Sequence, residues 1–199
     1  MLQLIETICY ENGNFHRIPL HEDRMNRARR HLLGVCTPIF LTQTIEVPEN
    51  LKNAKVRCRV TYSDVIENVE YESYIFKKIE SLKLVEGDAI DYSFKYKNRD
   101  SLNRLLEDRG SKDEILIVRN GLITDTSFTN IIFLQNGYWY TPALPLLPGT
   151  RRAEYLFNRK IFPRNIRPEE LKYYEEARLI NAMRSMEVAE PIPIDKIGW

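Results

Sequence analysis

Long apolar runs are missing from this sequence, and no stretch approaches the roughly 18 consecutive apolar residues that a membrane-spanning helix needs. Met1–Asn14 also lacks the pattern of a secretory signal peptide. Charge of one sign is not in excess, because 29 Lys and Arg residues stand against 28 Asp and Glu residues and leave a formal net charge of +1. A general electrostatic attraction to nucleic acid or to a membrane surface is therefore not expected.

Cysteine and histidine are too few and too scattered to indicate a disulfide framework or a metal centre. The three cysteines have neither paired nor metal-type spacing, which favours a reduced cytoplasmic setting. The three histidines form no ligand cluster, so metal catalysis is not expected. These residues are Cys9, Cys36 and Cys58, and His16, His21 and His31.

The composition is that of an ordinary soluble protein, with 43% hydrophobic and 29% charged residues in a chain of 199. Alternating patterns predict antiparallel strands with a few helices, and a boundary near Glu80 separates two domains. Residues 1–80 are expected to form a small N-terminal α/β domain, and residues 81–199 a larger C-terminal domain. In the first, the predicted strands are Leu2–Tyr10, Phe15–Ile18, Lys55–Tyr62 and Tyr71–Ile79, and the predicted helices are His21–Leu33 and Thr37–Glu46.

The second predicted domain is rich in strands. Its clearest feature is the pair Asn120-Gly121, which satisfies both positive-φ positions of a type I′ turn and predicts a hairpin of Glu114–Arg119 and Leu122–Ser127. A short helix is expected between a cap at Asp100 or Ser101 and Gly110. The other predicted strands are Ser81–Val85, Asp91–Lys97, Asn130–Leu134, Tyr138–Tyr140 and Ala177–Met183, the other helices are Thr150–Arg159 and Pro168–Tyr174, and Glu190–Trp199 is expected to be a tail.

The region from Asp91 to Asn130 places a lysine and a carboxylate on neighbouring elements. Lys95 lies on a predicted strand, and Asp125 shares its strand face with Ile123, which indicates partial burial. Pyridoxal phosphate chemistry requires a lysine that forms a Schiff base with the aldehyde and an acid that partners the pyridine nitrogen. A solvated strand lysine and an ordinary strand-end aspartate have the same pattern, and Lys97 lies on the same predicted face as Lys95.

Two further features are typical of a phosphate site. Leu147–Arg151 places a glycine and a hydroxyl at a predicted helix start, where backbone N–H groups and the helix dipole attract an anion. Arg24, on the first predicted helix, has the bidentate geometry that suits phosphate. Thr150 as a plain N-cap, and the arginines from Arg24 to Arg30 as a solvated face, are open alternatives.

Taken together, these motifs resemble the class IV aminotransferase family of pyridoxal phosphate enzymes over nearly the whole chain. The family's Phe-Glu-Thr strand and His-x-x-Arg helix correspond here to Ile5–Thr7 and His21–Arg24. Its lysine ends a strand ahead of a helix of Asn and Leu character, and Lys95–Arg99 is similar in register. The resemblance implies that Arg24 is the phosphate arginine and that Lys95 is the Schiff-base lysine.

The second half of the chain carries the resemblance further. The family's order of glycine, acid and an Asn before apolar residues appears as Gly121, Asp125 and Asn130, and its Leu-Pro-Gly-x-x-Arg motif appears as Leu147–Arg152. The resemblance implies that the acid faces the pyridine nitrogen and that backbone groups at the helix start hold the phosphate. The residues it implies for cofactor binding are Arg24, Lys95, Asp125, Thr129, Asn130, Thr150, Arg151 and Asn181.

The resemblance also implies a fold and an activity. The fold is the two-domain α+β fold of D-amino acid aminotransferases, with antiparallel sheets and flanking helices, here shortened at the N-terminus, and the implied assembly is a homodimer. Asn181–Met183 resembles the Asn-Ala-Leu/Met segment of the family's lyases, which implies conversion of 4-amino-4-deoxychorismate to 4-aminobenzoate and pyruvate in folate biosynthesis. Lys95 would act as the general base, and Arg57 and Arg59 are candidates for holding a carboxylate of the small-molecule substrate.

Three other functions fit parts of the same sequence. A transaminase of branched-chain or D-amino acids would use the same lysine, and a catalytically degenerate protein would keep the fold without the reaction. An RNA-binding module would use the Arg24–Arg30 run, although no aromatic platform motif accompanies it. One departure from the family is that its acid is normally Glu, whereas Asp125 is shorter by one methylene.

Overall fold

The chain folds into two compact units in the computed structural model, which describes residues 2–199. Unit 1 comprises the chain up to Phe76 together with Phe94–Asn98, and unit 2 comprises Lys77–Ser93 and Arg99–Trp199. The segment that contains Lys95 therefore belongs to the first unit, although residues on both sides of it belong to the second. Antiparallel and mixed sheets with few helices confirm the predicted α+β fold class.

Unit 1 is a four-stranded antiparallel sheet in the order β2-β1-β3-β4, with the long helix α1 packed against β1. Apolar side chains that alternate along β1 and β3 meet the apolar stripe of α1 in a buried cluster that includes Leu4, Ile8, Met25 and Val60. Helix α1 ends at Leu33, and Gly34 caps it with a φ of 68°, the left-handed conformation that glycine adopts readily. The elements are β1 Leu4–Glu11, β2 Asn14–Phe15, α1 Ile18–Leu33, β3 Val56–Tyr62 and β4 Ile66–Ser73.

Three predictions for unit 1 are wrong in detail. The predicted helix Thr37–Glu46 is reduced to a single 3-10 turn at Leu41–Gln43, because Pro38 and the β-branched threonines disfavour a continuous helix. The predicted strand Tyr71–Ile79 lies at Ile66–Ser73, since the chain turns back directly after β3. Helix α1 begins three residues before the predicted His21, where Pro19 fits the first turn.

Within residues 2–199, no helix combines the length and apolar character needed to cross a membrane.

Unit 2 is built on a sheet whose main path runs β10-β9-β8-β7-β6-β5-β13, with β11 paired to both β8 and β12. Most neighbours are antiparallel, but β5 runs parallel to β6 and to β13, and β10 runs parallel to β9. The hairpin at Asn120-Gly121 is confirmed, with φ of 50° and 72° at its two central residues. The elements are β5 Leu82–Glu86, α2 Asp100–Glu107, β6 Glu114–Arg119, β7 Leu122–Thr126, β8 Asn130–Gln135, β9 Tyr138–Pro142, α3 Thr150–Phe157, β10 Phe162–Arg164, β11 Glu176–Ile180, β12 Ile192–Pro193 and β13 Ile197–Gly198.

Three sequence predictions for the second half of the chain need correction. Asp91–Lys97 is not a strand but a bent segment with one bridge between Tyr96 and Leu4. Pro168–Tyr173 is a 3-10 helix rather than an α-helix. The expected tail at Glu190–Trp199 instead contributes two short strands, β12 and β13, to the sheet.

Candidate active site

A buried group of three polar side chains occupies the interface between β1 and α1 in unit 1. Glu6 lies between Leu4 and Ile8 on the same face of β1, so it faces the helix. His21 and Arg24 lie one turn apart on that helix. Arg24 donates from Nε to Glu6 Oε1 at 2.9 Å and from Nη2 to Glu6 Oε2 at 2.5 Å. His21 Nδ1 lies 2.6 Å from Glu6 Oε2. The carboxylate therefore fixes the guanidinium in a bidentate pair and the imidazole beside it.

The charges of this group are coupled. Burial alone would raise the pKa of Glu6, but the charge of Arg24 and hydrogen bonds from His21 and Arg24 outweigh it and hold the pKa at about 2. Burial lowers the pKa of His21, and its hydrogen bond to Glu6 opposes that shift only in part. Because an ionised carboxylate only accepts hydrogen bonds, the neutral His21 ring carries its proton on Nδ1. The group is thus an anion held between a neutral ring and a cation.

The Lys95 segment is held along β1 by backbone hydrogen bonds. Ile5 donates its N–H to the Lys95 carbonyl at 2.9 Å, and Lys97 donates its own N–H to Gln3 O at 2.9 Å. Phe94 and Tyr96, on either side of the lysine, pack against the apolar cluster of unit 1. Lys95 itself is partly exposed. Its backbone is therefore fixed by the sheet although the segment is not a strand.

The two candidate substrate arginines on β3 differ in their partners. Arg57 donates to Glu72 on β4, from Nε at 2.6 Å, and both side chains are exposed. Arg59 is partly buried, and its Nε is shielded from water without a hydrogen-bond acceptor in residues 2–199. It pairs with Thr7 in the sheet register, on the face opposite Glu6. Of these two arginines, Arg59 is therefore the one with a buried N–H donor that has no acceptor in the described chain.

Asp125 is the buried acid among the candidate residues in unit 2. The residue is only 4% exposed, and each carboxylate oxygen accepts a hydrogen bond: Oδ1 from Asn130 Nδ2 at 2.8 Å and Oδ2 from the Leu147 N–H at 2.9 Å. Within the described chain it has no ion-pair partner, and the charge of the buried Arg152 acts on it from farther away. Burial consequently dominates and raises the pKa of Asp125 to about 6.

Helix α3 begins directly after the loop that Asp125 holds. Gly149 is its N-cap and makes the first intrahelical bond with Ala153, so Thr150 is the first helical residue rather than a side-chain cap. A helix N-terminus presents backbone N–H groups and a positive dipole end, which is the arrangement that binds phosphate. Arg151, the second helical residue, donates to Glu154 and lies over the Tyr155 ring.

The other two candidate residues in unit 2 support turns. Thr129 Oγ1 lies 2.7 Å from Thr126 Oγ1, and both side chains are buried in the bend that joins β7 to β8. Asn181 follows β11, and its Oδ1 accepts the Met183 N–H at 2.9 Å in a turn closed by Asn181 and Arg184. The structure therefore places six candidates, Asp125, Thr129, Asn130, Thr150, Arg151 and Asn181, in unit 2, and two, Arg24 and Lys95, in unit 1.

Comparison with known proteins identifies the family. The family model described as amino-transferase class IV matches residues 92–190. A Schizosaccharomyces pombe protein named as a putative aminodeoxychorismate lyase is 32% identical over 205 residues, covering 92% of this chain and 87% of that protein. This chain belongs to the class IV aminotransferase family. Members of that family use pyridoxal phosphate.

Two further relatives of this class IV aminotransferase chain match it over almost its full length. An uncharacterized protein of Haemophilus influenzae is 40% identical over 188 residues, which is 94% of this chain and all of that protein. The crystal structure of a putative 4-amino-4-deoxychorismate lyase from Haemophilus somnus superposes with a TM-score of 0.88 at 38% identity, covering 94% of this chain and 98% of that one.

Sequence reasoning gave no role to two residues of this class IV aminotransferase chain that hold Arg24 in place, or to a third, Arg152, whose charge acts on Asp125. Glu6 and His21 fix Arg24. The sequence did contain a signal for Glu6, because a carboxylate on the same strand face as Leu4 and Ile8 is directed into a core and needs a cation. Arg152 was also missed. It is buried and donates to Thr141 Oγ1 at 3.2 Å and to the Pro142 carbonyl at 2.7 Å. The sequence marked that position only as the arginine that ends the Leu-Pro-Gly-x-x-Arg motif.

The raised pKa of Asp125 predicts a pH dependence of the cofactor-free protein. Its pKa is about 6 in the folded chain against 3.8 for an aspartate free in solution, so between pH 4 and 6 the folded state binds more protons than the unfolded state. This residue's contribution to the free energy of unfolding should fall by about 3 kcal/mol as the pH rises through that range. The measurement is urea unfolding of wild type and Asp125→Asn at pH 4 and 7. Between these two pH values the free energy of unfolding of the variant should increase by that amount relative to that of wild type. An unchanged difference would contradict the prediction.

Proposed function

We propose that this chain is a pyridoxal phosphate-dependent lyase that converts 4-amino-4-deoxychorismate to 4-aminobenzoate and pyruvate. The observation that carries the proposal is the environment of Asp125: a buried carboxylate with two hydrogen bonds and no ion pair in the described chain. A buried carboxylate is stable as an anion when a cation lies against it. A protonated pyridine nitrogen is such a cation, so the residues present fit the cofactor.

The other candidate residues fit the remaining parts of the cofactor. Lys95, on its fixed backbone, is proposed to hold the aldehyde carbon through Nζ. Arg24, held in orientation by Glu6, and the backbone of Thr150 and Arg151 at the start of α3 are proposed to hold the phosphate. When bound, pyridoxal phosphate supplies an electron-withdrawing ring that stabilises negative charge on the carbon next to the substrate nitrogen.

Lys95 is also proposed to move the proton. Its Nζ takes the proton from ring carbon 4 of the substrate, the bond from the neighbouring carbon to the enolpyruvyl oxygen breaks, and the ring becomes aromatic. The leaving group takes up a proton and is released as pyruvate. Because the two products together contain the atoms of the substrate, the reaction needs no oxidant, reductant or amino acceptor.

Two observations support a lyase over a transaminase. The turn after β11 carries Asn181, Ala182 and Met183, which is the lyase-like sequence at this position. Two relatives above 30% identity that match nearly the whole chain are named as putative lyases of this substrate, whereas structures named as aminotransferases match it at 20% identity or less. A transaminase of branched-chain or D-amino acids remains the second candidate, because it would use the same lysine.

Pyruvate release without an amino acceptor tests the proposal. The purified protein is loaded with pyridoxal phosphate, freed of excess cofactor, and given 4-amino-4-deoxychorismate with lactate dehydrogenase and NADH to detect pyruvate. We expect pyruvate and 4-aminobenzoate in equal amounts. Turnover of branched-chain or D-amino acids only when a 2-oxo acid is added would establish a transaminase instead. No visible absorbance after loading would indicate a degenerate protein.

Arg59 is proposed to bind a substrate carboxylate, and Arg59→Gln should therefore raise KM by about tenfold or more while kcat changes by less than about threefold. Removing a charge-assisted hydrogen bond weakens binding of substrate and transition state alike. The matched control is Arg57→Gln on the same strand face, whose side chain is already paired with Glu72. Steady-state kinetics of the two variants decides the question, and equal effects of both on KM would refute the assignment.

A further inference from the structure

Asn130 occupies the position where three parts of unit 2 meet. Strands β7 and β8 pair at a single position, which joins Asp125 to Asn130. On its other side Asn130 pairs with Ile180, the last residue of β11 and the neighbour of Asn181. The residue is 6% exposed. Its side chain is thus set by the sheet between the acid and the loop that leads to α3.

The side chain of Asn130 connects that acid and that loop directly. Its Nδ2 donates both to Asp125 Oδ1 at 2.8 Å and to the Leu147 carbonyl at 2.9 Å. The N–H of Leu147 donates to the other carboxylate oxygen, Oδ2, at 2.9 Å. Three hydrogen bonds therefore form a closed connection between β7, β8 and the loop, and none of them depends on a ligand.

Gly149 shows how closely this connection approaches the helix start. A Cβ built on Gly149 would lie 2.1 Å from Asn130 Oδ1, a distance that no side chain can occupy. The amide oxygen of Asn130 thus lies against the N-cap of α3, while its nitrogen holds Asp125. One side chain spans the distance from the carboxylate to the first turn of the helix.

We infer that Asn130 is a positioning residue that sets the spacing between the Asp125 carboxylate and the N-terminus of α3, rather than a residue that binds the cofactor itself. The inference rests on the proposed function, because a ligand with a cationic ring nitrogen and a phosphate on a short side arm requires two anchors whose separation the ring and the arm limit. A ligand that uses only one anchor does not depend on that separation.

Asn130→Ala and Asn130→Ser test the inference against pyridoxal phosphate and against pyridoxal, which lacks the phosphate. Dissociation constants are measured at pH 7.5 by absorbance and fluorescence. We expect both variants to weaken binding of pyridoxal phosphate by about tenfold, as for a lost hydrogen-bonded connection, and binding of pyridoxal by less than about threefold. Equal weakening for the two ligands, or none, would overturn the inference. Asn130→Ser is the milder of the two variants, because its hydroxyl group still offers a hydrogen-bond donor.

A second measurement uses the cofactor-free protein. Asp125 is faced by Asn130, by the backbone of Leu146 and Leu147, and by the charge of Arg152, and losing the Asn130 donor should raise its pKa further. The fall in stability with rising pH should therefore extend above pH 6 in Asn130→Ala. An unchanged pH profile would refute the connection even in a protein that binds no cofactor, which separates this failure from failure of the proposed function.

Thr124→Val is the matched control for both measurements. Thr124 precedes Asp125 on β7, is equally buried, and donates from Oγ1 to the Ile117 carbonyl at 2.9 Å. Its replacement removes one buried hydrogen bond without touching the acid, the loop or α3. We expect a loss of stability similar to that in Asn130→Ser, with an unchanged ratio of the two dissociation constants. A changed ratio in the control would overturn the inference.

Discussion

Lys95→Ala should lose the visible absorbance of the loaded protein and at least about 10³-fold of its lyase activity, because both the covalent attachment and the proton transfer are assigned to Nζ. The backbone of residue 95 is held by the Ile5 N–H and by packing of Phe94 and Tyr96, so the substitution should leave the fold intact. Absorbance spectra, the pyruvate assay and a thermal melt report on the three expectations separately.

Lys97→Ala is the control, since this lysine is two residues away and has a different environment. Its Nζ donates to Gln3 Oε1 at 3.0 Å on an exposed surface. We expect a normal spectrum and activity within about twofold of wild type, because exposed interactions of this kind contribute little. A normal spectrum for Lys95→Ala together with a lost spectrum for Lys97→Ala would transfer the assignment to Lys97.

Glu6→Gln should destabilise the protein by about 3–5 kcal/mol at pH 7, because it leaves the buried Arg24 without its anion. The carboxylate has a pKa of about 2 in the folded chain and 4.5 when a glutamate is free in solution, so its stabilisation is complete above pH 4.5. That stabilisation is lost as the pH falls towards 2. Urea unfolding at several pH values should show a steep acid loss in wild type that is reduced in the variant.

A double variant separates the charge effect from simple loss of packing. Adding Arg24→Met to Glu6→Gln removes the uncompensated cation, so the double variant should be more stable than Glu6→Gln alone. An exposed glutamate of the same unit, Glu70 on β4, provides the control, and Glu70→Gln should change stability by less than about 0.5 kcal/mol. If the double variant is the least stable of the four proteins, the charge explanation is wrong.

Local rules predicted the elements whose geometry is decided within a few residues. The Asn120-Gly121 hairpin was predictable because its turn type requires positive φ at two adjacent residues. Helix α1 was predictable from its apolar stripe and Gly34. By contrast, β12 and β13 are two residues long, and their pairing with β11 and β5 depends on tertiary position alone. Short segments of this kind carry no period that a sequence can show.

The candidate site shows the same difference between local features, which the sequence predicts, and long-range contacts, which it does not. Lys95 and Asp125 were named from the order of motifs, and the structure shows Asp125 buried and Lys95 on a fixed backbone. What the sequence did not reveal is which side chains hold them, because such partners come from different elements. The resemblance implied that Asn130 binds the cofactor, but it gave no indication that the amide nitrogen of Asn130 bonds to Asp125 and to the Leu147 carbonyl. A hydrogen-bond connection between distant segments becomes visible only when the elements are in place.

The placement of Phe94–Asn98 in unit 1 has a consequence for the order of folding. The edge of β1 at Gln3–Ile5 receives its hydrogen-bonding partners from residues some 90 positions later in the chain. During synthesis, this edge of the first strand can therefore be paired only after nearly half of the polypeptide has left the ribosome. Such long-range pairing raises the contact order and slows folding. A fragment that ends at Phe76, with the first unit's long contiguous segment, would therefore keep an unsatisfied edge at β1.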